Sequence, residues 1–158
     1  MKKNVRLATT EDIDTLVTLR FDYFKAERWE LTPGQKDIIG TNLLSYYKRH
    51  LNLDFFASFI EEDGKLASVA FLAVAEKPAN ISYPTGQAGT ILNVFTYQQY
   101  RNKGYAHDAV LALVEEAKRQ GLTYLEFPTA ELGDLLYKKL RFARNIVDEY
   151  TVMKLAVS

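Results

Sequence analysis

The sequence predicts an α/β fold, a mixed and mostly antiparallel sheet flanked by helices, with the element order βααβββαβαββ. Three observations carry this expectation. A near-continuous apolar run from Thr90 to Thr96 has the character of a central strand, buried on both faces. An apolar stripe at Ala106, Ala109, Val110, Leu113, Val114 and Ala117 repeats at helical period and predicts a core-packed helix over 103–120. Glu62-Asp63-Gly64-Lys65 between two apolar runs is the composition of a hairpin turn, so 55–61 and 66–75 pair antiparallel.

The other elements follow in order. Val5 to Ala8 reads as the first strand, and Thr10-Glu11-Asp12 opens a helix with a hydroxyl cap and early acids. Ile13, Leu16, Val17, Leu19, Phe21 and Phe24 give that helix its apolar contacts. Thr32-Pro33-Gly34-Gln35 announces a second helix running to about His50: Thr32 caps, Pro33 fits the first helical position and Gln35 completes a capping box. Pro78 and Pro84 bracket a loop ahead of the central strand. After the third helix, Gly121 is the expected terminator. A fifth strand is expected over 122–127, a short fourth helix over 132–140, and closing strands over 142–147 and 150–157.

A chain of 158 residues with 47% hydrophobic content can bury one substantial core. With no repeat, low-complexity tract or long linker, a single domain over 1–158 is expected. Twenty basic and 20 acidic residues balance, which removes any global field toward nucleic acid or an anionic membrane. The absence of cysteine excludes a disulfide framework, thiolate metal ligation and cysteine nucleophiles, and two histidines, His50 and His107, make no dedicated zinc site. The basic N-terminus has no apolar segment behind it, so a cytoplasmic protein is the default expectation.

Arg101-Asn102-Lys103-Gly104-Tyr105-Ala106 joins the central strand to the third helix. The first N–H groups of a helix lack intrahelical acceptors, and together with the positive end of the dipole they suit a phosphate. Small residues at 104 and 106 let an anion approach the backbone, and Arg101 and Lys103 add positive charge. A plain strand-to-helix turn, with glycine for backbone freedom, accounts for this fragment equally well.

The wider segment ILNVFTYQQYRNKGYAHDAV, together with LLYKKLRF, resembles the GNAT superfamily of acetyl-CoA-dependent N-acetyltransferases. The family pattern is an apolar strand, a Gln/Arg-x-x-Gly-x-Gly/Ala turn, a helix, a strand, and a helix carrying Leu-Tyr-x-x-x-Gly-Phe; Arg101, Gly104, Ala106, Leu136, Tyr137 and Phe142 correspond to it. With matches over Val5-Arg6-Leu7-Ala8-Thr9, Glu11-Asp12-Ile13 and Met153, the resemblance covers most of the chain. It implies acetyl-CoA as cosubstrate, with no metal, and direct attack of an amine on the thioester. It also implies a splay between the fourth and fifth strands that admits the cofactor.

The resemblance further implies roles. Tyr137 matches the tyrosine whose hydroxyl faces the cofactor sulfur, a general acid for the leaving thiolate. Val94 and Thr96 match positions whose backbone groups contact the acetyl and pantetheine parts, with the Val94 N–H as oxyanion donor. Residues Asn102, Lys103, Gly104, Tyr105, Ala106 and His107 follow Arg101 as the phosphate cradle. Many relatives place a glutamate where this chain has Asn93, so the base falls to Glu126, or to Asp22 or Glu27; a solvated or salt-bridged carboxylate is the plainer account of each.

Three positions depart from the pattern: Gln98 for a proline, Arg141 for the glycine before Phe142, and Ala130 for an asparagine, with Thr129 a substitute donor. The acceptor is expected to be a small-molecule amine, neither nucleic acid nor membrane, recognised by residues 20–50 and 77–89. Phe21, Tyr23, Phe24, Trp29, Tyr46 and Tyr47 suit an amine pocket, but helical aromatics more often build core or a homodimer surface. Two other readings stand beside the enzyme: an acyl-CoA-binding regulatory module without transfer chemistry, and a nucleotide-binding α/β domain. The second lacks both a P-loop Gly-Lys-Ser/Thr and a three-glycine fingerprint.

Overall fold

A two-residue turn decides the centre of the sheet. In the computed structural model, which describes residues 2–128, Leu140 and 153–157, Asp63 and Gly64 both take positive φ (51° and 78°). That is the twist a tight hairpin needs, and it sets β2 (Phe55–Glu62) antiparallel to β3 (Lys65–Glu76). β1 (Lys3–Leu7) pairs antiparallel with β2, and β4 (Gln87–Thr96) pairs antiparallel with β3. β5 (Leu125–Glu126) lies parallel to β4, so the order is β1-β2-β3-β4-β5 and the sheet is mixed and mostly antiparallel, as expected.

Helices cover both faces. α1 (Ile13–Ala26) and α2 (Pro33–His50) lie on one, where Leu16, Leu19 and Tyr47 pack with Phe55, Phe59, Val69 and Phe71. α3 (Tyr105–Arg119) lies on the other, where Ala109, Val110, Leu113 and Ala117 pack with Phe56, Ile60, Ala70, Leu72 and Ile91. The stripe read from the sequence is therefore the buried face of α3. The buried Ser58 hydroxyl donates to the Ala109 carbonyl at 2.6 Å and pins α3 to β2.

The helix ends show which local signals the chain obeys. Thr32 and Gln35 form the expected capping box, with Pro33 at the first position of α2. Gly121 (φ 75°) ends α3: its N–H donates to the Lys118 carbonyl and Leu122 N–H to the Ala117 carbonyl, the paired bonds of a Schellman motif. Before α1 the cap is Thr9, not Thr10. Thr9 and Asp12 exchange side-chain and backbone bonds around a 3-10 turn at Thr10–Asp12, and Arg6 fixes Asp12 from the sheet.

Two boundaries differ from expectation for reasons of pairing. β5 is only two residues long because it pairs only with Gly89 and Thr90 before the strands part. Residues 153–157 carry no regular structure; Met153, Leu155 and Val157 alternate as a strand would but are exposed, with no ladder partner among the described residues. The expected fourth helix, apart from Leu140, and the strand over 142–147 lie outside the described residues. Among the described residues no helix is long and apolar enough to cross a membrane.

Candidate active site

A β-bulge in β4 organises the site. Val69 pairs with Phe95 and Phe71 with Leu92, so Asn93 and Val94 together face the single residue Ala70. Asn93 takes φ 54°, a left-handed conformation that asparagine tolerates better than most residues. The extra residue resets the alternation of β4. Ile91 and Val94 both join the α3 core, whereas Leu92 and Phe95 both join the α1/α2 core.

Before the bulge the described pairing of β4 with β5 ends. β5 leaves β4 after Thr90, and Ile91 to Thr96 have no β5 partner among the described residues. Main-chain groups on an edge of this kind can pair with an extended ligand. The edge leads into a 3-10 turn at Gln98–Tyr100 and then to Gly104 (φ 77°), the N-cap of α3. Among the described residues no side chain caps that terminus, and a Cβ at Gly104 would meet nothing within 4 Å. An open strand edge ending at an uncapped helix N-terminus with free space above its glycine fits an extended ligand that carries phosphate.

The cations around this turn are differently placed. Arg101 is exposed, and its Nε donates to the Thr96 carbonyl at 3.1 Å, folding the side chain back over the end of β4. Lys103 Nζ lies 2.8 Å from Glu62 Oε1, which also accepts from the Tyr105 hydroxyl at 2.7 Å. The Lys103 and Tyr105 bonds hold the Glu62 carboxyl below its ordinary range, and the same bond to Glu62 pushes the Tyr105 phenol up to about 12. Asn102 is exposed with φ 63°, Ala106 is half-buried, and His107 Nδ1 is 3.3 Å from Asp108.

On the α1 face, Arg20 Nη1 donates to Asn93 Oδ1 at 3.2 Å, while the guanidinium lies over the rings of Phe24 (4.6 Å) and Tyr23 (5.8 Å). Burial lowers its pKa, opposed by Tyr47 and Tyr23. Tyr97 donates to Asp22 Oδ2 at 2.5 Å; burial and then this bond push the Tyr97 phenol up. Glu27 is exposed beyond the end of α1. Glu126 is exposed on β5 opposite Thr90, and its carboxylate accepts from the Tyr83 hydroxyl.

Val94, Thr96 and residues 101–107 thus lie along one continuous track, while Glu126 stands at its far end, before the strands part. Tyr137, Leu136, Phe142, Arg141, Ala130 and Thr129 lie outside the described residues. The sequence reading passed over Arg20, Tyr97 and Glu62. Arg20 had a readable signal: it occupies the position after Leu16 and before Phe24 at i+4 spacing, a charge inside the apolar stripe of α1. Glu62 had none, because its partners are 41 and 43 residues away.

A family model for the acetyltransferase (GNAT) family matches residues 16–137. Among solved structures, a predicted acetyltransferase from Clostridium acetobutylicum, determined with acetyl-CoA, is 27% identical over 97% of this chain and 96% of its own, with a TM-score of 0.83. A GCN5-related N-acetyltransferase from Ralstonia eutropha JMP134 is 19% identical over 96% and 99% of the two chains, with a TM-score of 0.77. An aminoglycoside N-acetyltransferase in complex with CoA is 13% identical over 99% and 96%, with a TM-score of 0.73. The last two establish likeness of fold alone. No curated protein matches the sequence.

Proposed function

Since the chain belongs to the GNAT acetyltransferase family and is an acyltransferase, we propose that it moves the acetyl group of acetyl-CoA to the primary amine of a small molecule by direct attack. The observation that carries this reading is the opened edge of β4, with its bulge at Asn93 and Val94, leading to the uncapped N-terminus of α3. Acetyl-CoA supplies the activated thioester. Main-chain groups of Val94 and Thr96 hold its extended arm as an added strand would be held. Residues 102–107 offer amides to its phosphates, and Arg101 supplies charge.

Transfer forms a C–N bond and breaks a C–S bond; the amine gives up one proton and the departing thiolate takes one. The Val94 N–H, at the bulge, is the donor to the carbonyl oxygen as charge develops on it. Tyr137 is the acid for the thiolate, a role that rests on the family pattern around Leu136 and Phe142. Glu126 pairs opposite Thr90, four residues from Val94, which is about 13 Å along a strand. Asp22 is held by Tyr97, three residues beyond Val94, or about 10 Å. The amine proton passes to one of these carboxylates, directly or through water, and Glu126→Gln and Asp22→Asn compared in pH-rate profiles identify its destination.

Calorimetric titration with acetyl-CoA, CoA and ATP tests the cofactor, and CoA release on a panel of primary amines tests transfer. Selective binding of the CoA compounds with turnover that is lost in Tyr137→Phe supports the reading. Binding without turnover on any amine moves the protein to an acyl-CoA-binding regulator, and preference for ATP overturns the assignment.

A further inference from the structure

The acceptor side of the bulge holds two polar groups that the protein leaves incomplete. Asn93 is 2% exposed; its Oδ1 accepts from Arg20, but among the described residues its Nδ2 has no hydrogen-bond partner. A buried donor left unmade costs free energy that native structures seldom concede without a reason. Arg20 stands beside it, half-buried, with donors still open. Its guanidinium carries five N–H donors, of which the Asn93 bond uses one, and among the described residues no carboxylate lies within ion-pair distance of it. Its other contacts are the faces of Phe24 and Tyr23. The rings hold the guanidinium in place through its face, and its free N–H edge is left to take an anion.

Arg20 also lines a cavity of about 250 Å³ between α1, α2 and the sheet, walled by Tyr46, Tyr47, Phe55, Phe71 and Leu92. The volume is below the roughly 300 Å³ at which pockets for drug-sized ligands begin, which limits the occupant to a small molecule. The walls are apolar and aromatic apart from the phenol oxygens, and burial pushes the Tyr47 phenol up, so it stays neutral. Leu92, in the wall, and Asn93, bonded to Arg20, directly precede Val94 in the bulge.

We infer that Arg20 and Asn93 form an anion-binding subsite for the acceptor, so that the amine substrate is a small molecule bearing a carboxylate and an apolar body, of the size and chemistry of an apolar amino acid. The guanidinium takes the carboxylate, Asn93 Nδ2 donates to it, the aromatic cavity takes the apolar body, and the amine is left beside the Val94 bulge. Arg suits this task because its planar fork binds carboxylate with two parallel bonds. The assignment rests on the acetyl-transfer reading and narrows its substrate.

The test compares matched amines: phenylalanine and leucine against phenylalaninamide and leucinamide, each with acetyl-CoA. The free carboxylates are expected to exceed their amides in kcat/KM by about a hundredfold, and Arg20→Met to collapse that ratio to near one. Asn93→Asp, which keeps the shape but gives Arg20 an internal counter-ion, is expected to collapse it as well. Turnover of the amides at equal or higher kcat/KM in the wild type overturns the subsite while leaving acetyl transfer standing. Survival of the ratio in both variants overturns it too. A readout independent of transfer is calorimetric binding of N-acetylphenylalanine against its amide: selective binding of the carboxylate, lost in Arg20→Met, supports the subsite even if no acetyl transfer occurs. Equal or absent binding of the two overturns it. Failure to bind acetyl-CoA, by contrast, strikes the acetyl-transfer reading itself.

Discussion

Tyr105 and Glu62 are joined by a 2.7 Å hydrogen bond across 43 residues of sequence, tying the first residue of α3 to the last residue of β2. Lys103 shares the same carboxylate oxygen at 2.8 Å, so one acid, 8% exposed, braces both sides of Gly104. Glu62→Gln keeps an acceptor but removes the charge. Chemical denaturation is expected to show a lower midpoint for the variant, and CoA titrations a steeper dependence on salt, because the ion pair between Lys103 and the Glu62 carboxylate is lost. An unchanged midpoint and salt slope would show that the turn holds itself.

Gly104 and Gly121 provide a matched pair at the two ends of α3. Both take positive φ, 77° and 75°, and a Cβ at either meets nothing within 4 Å. Alanine at each should therefore cost about the same stability, roughly 1–2 kcal/mol for the left-handed conformation. Only Gly104 stands at the helix N-terminus, where its Cβ occupies the approach to the amides. Gly104→Ala is expected to weaken CoA binding by about tenfold or more, roughly 1.4 kcal/mol, and Gly121→Ala to leave it unchanged. Equal affinities in calorimetry would remove the α3 terminus from the binding site.

The helices and hairpin were legible in the sequence because their signals are local: the α3 stripe, the Thr32 and Gln35 box, and Asp63-Gly64 all act within a few residues. The turn from β4 into α3 at Gly104 was legible for the same reason. The bulge was not, since it exists only in the register of β4 against β3, which no strand encodes alone. The cap at Thr9 was missed because Thr10 presents the same hydroxyl and only the bond from Arg6 to Asp12 decides between them. Arg20 sat visibly inside an apolar stripe, but its partner Asn93 is 73 residues distant and joins it only through the tertiary fold.

Val94 separates a main-chain role from a side-chain role. Its side chain packs against the α3 core, so Val94→Ala is expected to cost about 1 kcal/mol of stability and leave kcat close to wild type. Replacing the amide of Val94 by an ester through semisynthesis puts an oxygen in place of the N–H and leaves the side chain intact. Single-turnover kinetics are then expected to show a loss of about 10² to 10³ in rate, the usual effect of deleting one oxyanion donor. Retention of the full rate would exclude this N–H as that donor.

Gly89 lies where β4 and β5 are paired and closely packed. A Cβ there would stand 2.7 Å from Leu125 Cδ2 and 2.8 Å from Leu122 Cδ1, so both leucines must give way. Gly89→Ala is expected to destabilise by about 1–2 kcal/mol through overpacking. Shortening one neighbour relieves the clash, and Gly89→Ala with Leu125→Ala should be less destabilised than the two single changes sum to. Additive urea midpoints would show that the strands separate without strain.

The Asp12 carboxyl gives the fold a defined acid limit. The hydrogen bond from Arg6 and those from Thr9 hold its pKa below the ordinary value of 3.8, against the opposing effect of burial. A carboxylate lowered on folding contributes stability that is complete above its unfolded value and is lost as the pH falls through the lower folded value. Asp12→Asn also loses the ion pair with Arg6 at 2.8 Å and weakens the capping box, at a cost of about 1–2 kcal/mol near neutral pH. The gap in urea midpoint between wild type and variant is therefore expected to be widest above pH 4 and to narrow as the pH falls below it. A gap independent of pH would mean that Arg6 and Asp12 act through shape and capping alone, without their charges.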